Sequence, residues 1–301
     1  MSELALALIG LGDIASKAYL PVLAATPGLD IRLCTRDRAT LDRLGDAYRI
    51  GGRYTSVDDV VQSGIRAAFV HAATEAHVQI VEKLLSAGVH VYVDKPLADN
   101  FRDAERLVRR AQAAGLSLMV GFNRRYAPGY AGLQDLPRPL ILMQKNRERH
   151  PDSARRVIFD DFIHVVDTLR FLAPGQVVGQ RIHARIAGGL VEHLVLELSG
   201  DGFVAVGMMN RNSGLSEESC EVSGGGLKRR VVNLAEVVDY SGSEKVARRG
   251  DWTSVARQRG VEGACRAFIN EIREGRLLDA EDALITHKVC EDIFREVARH
   301  G

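Results

Sequence analysis

Five short, mostly apolar runs, at residues 4–9, 31–34, 67–72, 89–93 and 116–120, constrain this chain more than any other feature. Helix-period segments separate them, at 14–25, through Leu41 and Leu44, at 76–87 and at 99–114. Runs of this kind, rather than strict alternations, mark strands buried on both faces, as in a parallel sheet. Such strands joined by helices specify a doubly wound α/β domain. Asp99 is the expected N-cap of its helix, and Gly88 and Gly115 are expected helix stops. After Gly121 the pattern changes. A polar loop (121–129), a strand (140–145) and a helix (160–172) precede alternating stretches at 180–186, 192–198, 203–209 and 229–239. These read as a mostly antiparallel or mixed sheet with one exposed face. Two helices, at 261–274 and 280–299, close the chain. The expected division is a first domain at 1–121 and an α+β domain at 122–301, with the last helix able to pack on the first domain.

Gly10-Leu11-Gly12-Asp13-Ile14-Ala15 lies between the first strand and the first helix and fits G-x-G-x-x-G/A. Gly10 permits the tight turn, Gly12 lets a pyrophosphate approach the backbone, and Ala15 allows close helix–strand packing. The N–H groups that open the helix, around Asp13, Ile14 and Ala15, offer the phosphates the positive end of its dipole. The first domain is therefore expected to be a Rossmann domain that binds NADP or NAD. Enzymes that take NAD usually hold its ribose with an acidic residue on the second strand. Here the strand end reads Cys34-Thr35-Arg36-Asp37. Thr35 and Arg36 suit a 2′-phosphate, which favours NADP. The plainer alternative leaves Arg36 over the adenine or in solvent, with Asp37 capping the next helix.

Lys95 follows the fourth run, in Val93-Asp94-Lys95-Pro96, at a carboxyl strand end where ligands bind in such sheets. A partly desolvated lysine there can exchange a proton with a substrate hydroxyl; a surface lysine is the simpler alternative. Pro96 is a candidate for a cis peptide. Asp160 and His164 are four apart at an expected helix start and share one face. A carboxylate can orient such an imidazole for acid/base work. A cap and a packed histidine are the commoner alternative for that spacing. His71 reads as a packed strand-end residue. Arg125 is expected to tie down the crossover loop through backbone carbonyls, with substrate contact as the alternative. The basic stretch 145–150 reads as a solvated loop, the sharper alternative being that Lys145 or Arg147 selects an anionic substrate. Trp252 is expected to anchor the entry to the last helices, with stacking on a sugar face as the alternative.

The 301 residues carry a net charge of +1, which gives no reason to expect nucleic acid or an anionic membrane as partner. No apolar run approaches the roughly 20 residues that span a bilayer. The N-terminus lacks a basic n-region and runs into the glycine motif, so a cytoplasmic protein is expected. The four cysteines lack metal or redox spacing, so no metal is expected.

The ordered set GLGDIA, DKP, GFNRRYAP and DDFIHVVD resembles the Gfo/Idh/MocA oxidoreductases over nearly the whole chain, most closely their MviM branch. The resemblance implies hydride transfer between a nicotinamide cofactor and a hydroxyl-bearing carbon of a sugar or cyclitol. It implies that Lys95 is the catalytic acid/base and that Asp160 and His164 lie beside the substrate. It assigns Gly10, Gly12 and Ala15 to the pyrophosphate, and Thr74 and His77 to the cofactor. It also implies that 122–301 binds substrate and forms homodimers or homotetramers through the open sheet face. Asp94 stands where the family usually has Glu, and Thr74 where Asn is common, so cofactor contacts differ there. Two other functions stay open: an NAD-dependent glycoside hydrolase and a non-catalytic dinucleotide-binding regulator. A complete Lys95, Asp160 and His164 set favours the enzyme.

Overall fold

A computed structural model describes residues 3–299. By internal packing the chain forms two compact units. One runs to Gly121 and adds Val261–Ile285; the other comprises Phe122–Gly260 and the stretch from Thr286. The 261–285 stretch thus groups with the first unit rather than with the second half of the chain.

In the first unit, β1 (Leu4–Ile9), β2 (Leu29–Cys34), β3 (Gly52–Tyr54), β4 (Ala67–Val70), β5 (His90–Val93) and β6 (Leu118–Val120) form one sheet in the order β3-β2-β1-β4-β5-β6. Every pairing is parallel. Leu6, Leu8, Phe69 and Val91 are fully buried, as strands covered on both faces require. The three-residue β3 and the helix Val57–Gln62 carry no apolar run of their own and escape sequence reading. The helix expected at 99–114 is Phe101–Ala113, and its N-cap is Asn100, which accepts from the Asp103 N–H, rather than Asp99. Helix Val261–Arg273 buries Val261, Ala264, Cys265, Phe268, Ile269 and Ile272, one stripe at helical period. Its Phe268 meets Phe69 edge-on, with ring centroids 5.2 Å apart.

In the second unit, β7 (Leu140–Asn146), β8 (Gly179–Ala187), β9 (Leu190–Gly200), β10 (Phe203–Asn210), β11 (Glu217–Gly224), β12 (Leu227–Val232), β13 (Glu236–Tyr240) and β14 (Glu244–Arg248) form a mixed sheet. Its order is β14-β13-β12-β11-β7-β10-β9-β8, antiparallel except for β7 with β10. The stretch 229–239, read as one strand, is a hairpin: the chain reverses at Asn233 and Leu234, with φ of 50° and 58°. The helix expected at 160–172 opens as a π-helix, Val157–Phe162, and continues as Ile163–Leu172. It packs against β10 so closely that a Cβ on Gly207 would meet Val165 Cγ1 at 2.4 Å. Elsewhere on the sheet Leu140, Leu142 and Met208 remain exposed. Among the described residues no helix is long and apolar enough to cross a membrane.

Candidate active site

In the first unit the strand order reverses between β1 and β4, the switch point at which open α/β sheets bind ligands. A cavity of about 540 Å³ lies there, lined by the ends of β1, β2 and β4. Ligand pockets commonly span about 300–1,000 Å³. Gly10 has a φ of +84°, and a Cβ on it would meet Ala72 N at 2.6 Å and His71 C at 2.7 Å. Only glycine lets these two backbones pass so closely. Gly12 is the converse: a Cβ there would meet nothing within 4 Å, so its bare backbone borders open space. Ala15 is fully buried at the start of a π-helix, Ala15–Tyr19. Asp13 and Ile14 do not line the cavity; Asp13 is an exposed partner of Lys17 at 2.7 Å, and Ile14 is exposed.

Thr35 and Arg36 both line this cavity. Arg36 is exposed and has no protein partner among the described residues. Asp37 is occupied otherwise. It caps the helix Arg38–Tyr48, accepting from Thr40 Oγ1 at 2.6 Å and from Ala39 N at 3.1 Å. The bond from Thr40 is the main reason its carboxyl sits below the ordinary range.

His71 also lines the cavity, with its side chain buried. Its Nδ1 is 3.5 Å from Asp94 Oδ2, and neither ring nitrogen has a hydrogen-bond partner among the described residues. The other Asp94 oxygen accepts from the Lys95 N–H at 2.8 Å. Burial would raise the Asp94 carboxyl, but His71 and the Lys95 charge outweigh it and hold it low. Asp94 thus links the exits of β4 and β5. Lys95 is half-buried and precedes a cis peptide to Pro96. Lys95, Thr74 and His77 are not among the residues that line the cavity. His77 is buried, with ring nitrogens 2.7 Å from Pro96 O and 2.9 Å from Ala72 O. Burial lowers its pKa, so the ring is neutral and its single N–H donates to one of these two carbonyls.

A second cavity, about 460 Å³, lies within the second unit and includes Asp160, Asp161, Arg147 and Arg211 in its lining. Asp160 lies in the π-helix, and one oxygen is 3.9 Å from Arg156 Nε. His164 is buried on the following α-helix and is not part of the lining. Neither Asp160 nor Asp161 is a helix cap. Asp161 accepts from Arg147 Nε and Nη2, at 2.6 and 2.8 Å, and from Arg211 Nη1 at 2.6 Å. Lys145 Nζ bridges Asp161 at 3.2 Å and Glu218 at 3.3 Å. Glu218 also accepts from Arg124 Nε and Nη2, at 2.8 and 2.6 Å, and from Tyr130 OH at 2.9 Å. Burial pushes the Glu218 carboxyl up, but Arg124, then Lys145 and Tyr130, prevail and bring it down to about 2. Asp161 is likewise held far below the usual carboxylate range against its burial, chiefly by Arg147 and Lys145.

Several expectations change. Lys145 is a buried bridge, neither a loop residue in solvent nor a group free to take substrate. Arg125 is tied by two bonds to the Asp167 carboxylate. Trp252 is wholly exposed and anchors nothing. Arg211 and Glu218 went unread because their partners are far away in sequence, and Asp161, read only as a possible helix cap, is instead an ion-pair partner.

The family described as "Oxidoreductase family, NAD-binding Rossmann fold" matches residues 4–122, and "YceM-like, C-terminal domain" matches residues 136–240. YceM of Salmonella typhimurium is 35% identical over 98% of this chain and 99% of its own length. The inositol 2-dehydrogenase of Paracoccus denitrificans is 32% identical over 57% of this chain and 52% of its own. The crystal structure of the MviM dehydrogenase from Clostridium difficile has a TM-score of 0.90 at 28% identity, covering 97% of this chain and 99% of that one.

Proposed function

We propose that this chain, which belongs to the Gfo/Idh/MocA oxidoreductase family, exchanges a hydride between NADP and a hydroxyl-bearing carbon of a sugar- or cyclitol-like substrate. The observation that carries the reading is the switch-point cavity, where Gly10 brings two strand exits together and Gly12 bares its backbone. These features fit a dinucleotide. Gly12 and the opening turn of its helix would hold the pyrophosphate, and Thr35 and Arg36 the 2′-phosphate. The preference for NADP is supported by the division of labour at the end of β2: Asp37 is committed to a helix cap, while Arg36 is unengaged. When bound, the nicotinamide supplies or accepts the hydride. Lys95 takes the hydroxyl proton on oxidation and returns it on reduction, assisted by His164, which Asp160 orients. A polyol substrate is supported by the inositol 2-dehydrogenase relative. A second copy of the chain would cover the exposed Leu140, Leu142 and Met208.

The test is a fluorescence titration of cofactor-free protein with NADPH and NADH, beside Arg36→Ala and Lys95→Ala. NADPH should bind more tightly, and Arg36→Ala should weaken it roughly 10-fold or more, as loss of a charge-assisted contact does. Lys95→Ala should keep cofactor affinity and lose about 10²- to 10⁴-fold in turnover on a polyol panel. Equal affinity for the two nucleotides would remove the preference, and full turnover by Lys95→Ala its acid/base role. Binding of neither nucleotide would end the reading, and turnover without any change in cofactor absorbance would point to glycoside hydrolysis.

A further inference from the structure

Beneath the second cavity, four cations meet two carboxylates. Arg124, Lys145, Arg147 and Arg211 surround Glu218 and Asp161, and all but Arg147 are buried. Asp161 is saturated: its two oxygens already take two bonds from Arg147, one from Arg211 and the Lys145 contact. Glu218 is as fully occupied by Arg124, Tyr130 and Lys145. Buried charge is costly unless it is paired, and these two carboxylates carry less charge than the four cations they hold.

The surplus has an outlet. Arg211 spends Nε on His150 O and Nη1 on Asp161, and Arg147 spends Nε and Nη2 on Asp161. Arg211 Nη2 and Arg147 Nη1 have no protein partner among the described residues, and both side chains line the cavity. Among the rim carboxylates, Asp152 acts on Arg211 at longer range and favours its charged form. Asp152 and Asp160 share the exposed Arg156, at 3.6 and 3.9 Å, and Glu148 is exposed to solvent. Water and salt screen such rim charges far more than the buried ones.

We propose that Arg147 and Arg211 form an anion-recognition pair, and that the substrate is a polyol acid whose carboxylate or phosphate sits between them. Asp161 is then a positioning residue that holds the two guanidinium groups side by side. Burial lowers the pKa of Lys145 and of Arg211, while Asp161 raises that of Arg147. The substrate assignment rests on the dehydrogenase reading; anion binding does not.

Binding is measured without turnover, by calorimetry at fixed ionic strength. The probes are hexuronates and aldonates, hexose phosphates and the parent sugars. The protein is the full chain and its Arg147→Gln and Arg211→Gln variants. Arg147→Gln keeps the test decisive if Arg211→Gln fails to fold, because Lys145 and Arg211 still hold Asp161. At least one acid should bind, its parent sugar much more weakly, and each variant should lose roughly 10- to 100-fold, as loss of a hydrogen bond to a charged group does. Acids of one kind alone would identify the group as carboxylate or as phosphate. Binding of acids and sugars alike, no binding of any acid, or unchanged affinity in Arg147→Gln would overturn the proposal. NADPH titration of the same samples reads the dehydrogenase proposal separately: its failure leaves the anion result standing.

Discussion

Gly10 and Gly12 sit two residues apart in one motif, yet the surrounding structure asks opposite things of them. Gly10 is enclosed and left-handed, so Gly10→Ala combines an unfavourable φ, about 1–2 kcal/mol, with a backbone clash that no side chain can relieve. It should lower the unfolding midpoint and abolish cofactor binding together. Gly12→Ala points a methyl into open space. It should leave the unfolding midpoint unchanged and weaken NADPH binding, which a melt and a titration on the same sample would separate. Normal NADPH affinity in Gly12→Ala would mean that no ligand approaches that backbone. The motif was legible because a tight turn and a close approach are demands on consecutive residues. The commitment of Asp37 was legible only as an alternative, since capping and ribose binding ask for the same side chain. The burial of Lys145 was not legible, because a basic run reads as solvated until its partners are known.

Among elements, strands and helices with a period of their own were readable, and those defined by a partner were not. Helix Val261–Arg273 shows its buried stripe in its spacing. The β12–β13 hairpin hides its turn, since Asn233 and Leu234 take positive φ without a glycine. Asn233 offsets this by accepting the Glu218 N–H at 2.9 Å with its side chain. The same Glu218 joins β11 to the 3-10 turn Asn123–Tyr126 through Arg124, to the short helix Pro128–Ala131 through Tyr130, and to β7 through Lys145. Removing one partner from such a buried pair leaves charge uncompensated, at a cost of about 3–5 kcal/mol. Arg124→Met should therefore destabilise the protein by that amount in urea unfolding. A Glu218→Met, Arg124→Met double variant should lose less than the single one; additive losses would refute the coupling.

For the whole molecule, the buried ionic network makes acid the weak side. A carboxyl whose folded pKa lies below its unfolded value stabilises fully above the unfolded value, and the contribution is lost as pH falls toward the folded one. Glu218, brought from the ordinary glutamate range to about 2, contributes on the order of 3 kcal/mol at neutral pH. Asp161 acts in the same direction. Stability measured by urea should hold down to about pH 4.5 and fall steeply toward pH 2, and the Glu218→Gln variant should show a shallower fall. An equal fall in both would place the acid sensitivity elsewhere. The sequence by itself determined the parallel sheet, the glycine turn and the family, because each is written in local period or in short motifs at a fixed order. Tertiary structure alone decided that 261–285 groups with the first unit, that Lys145 is buried, and that Arg147 and Arg211 converge on Asp161. Those facts depend on pairings across tens of residues, and neither the helical nor the strand period records which distant charge a side chain will meet.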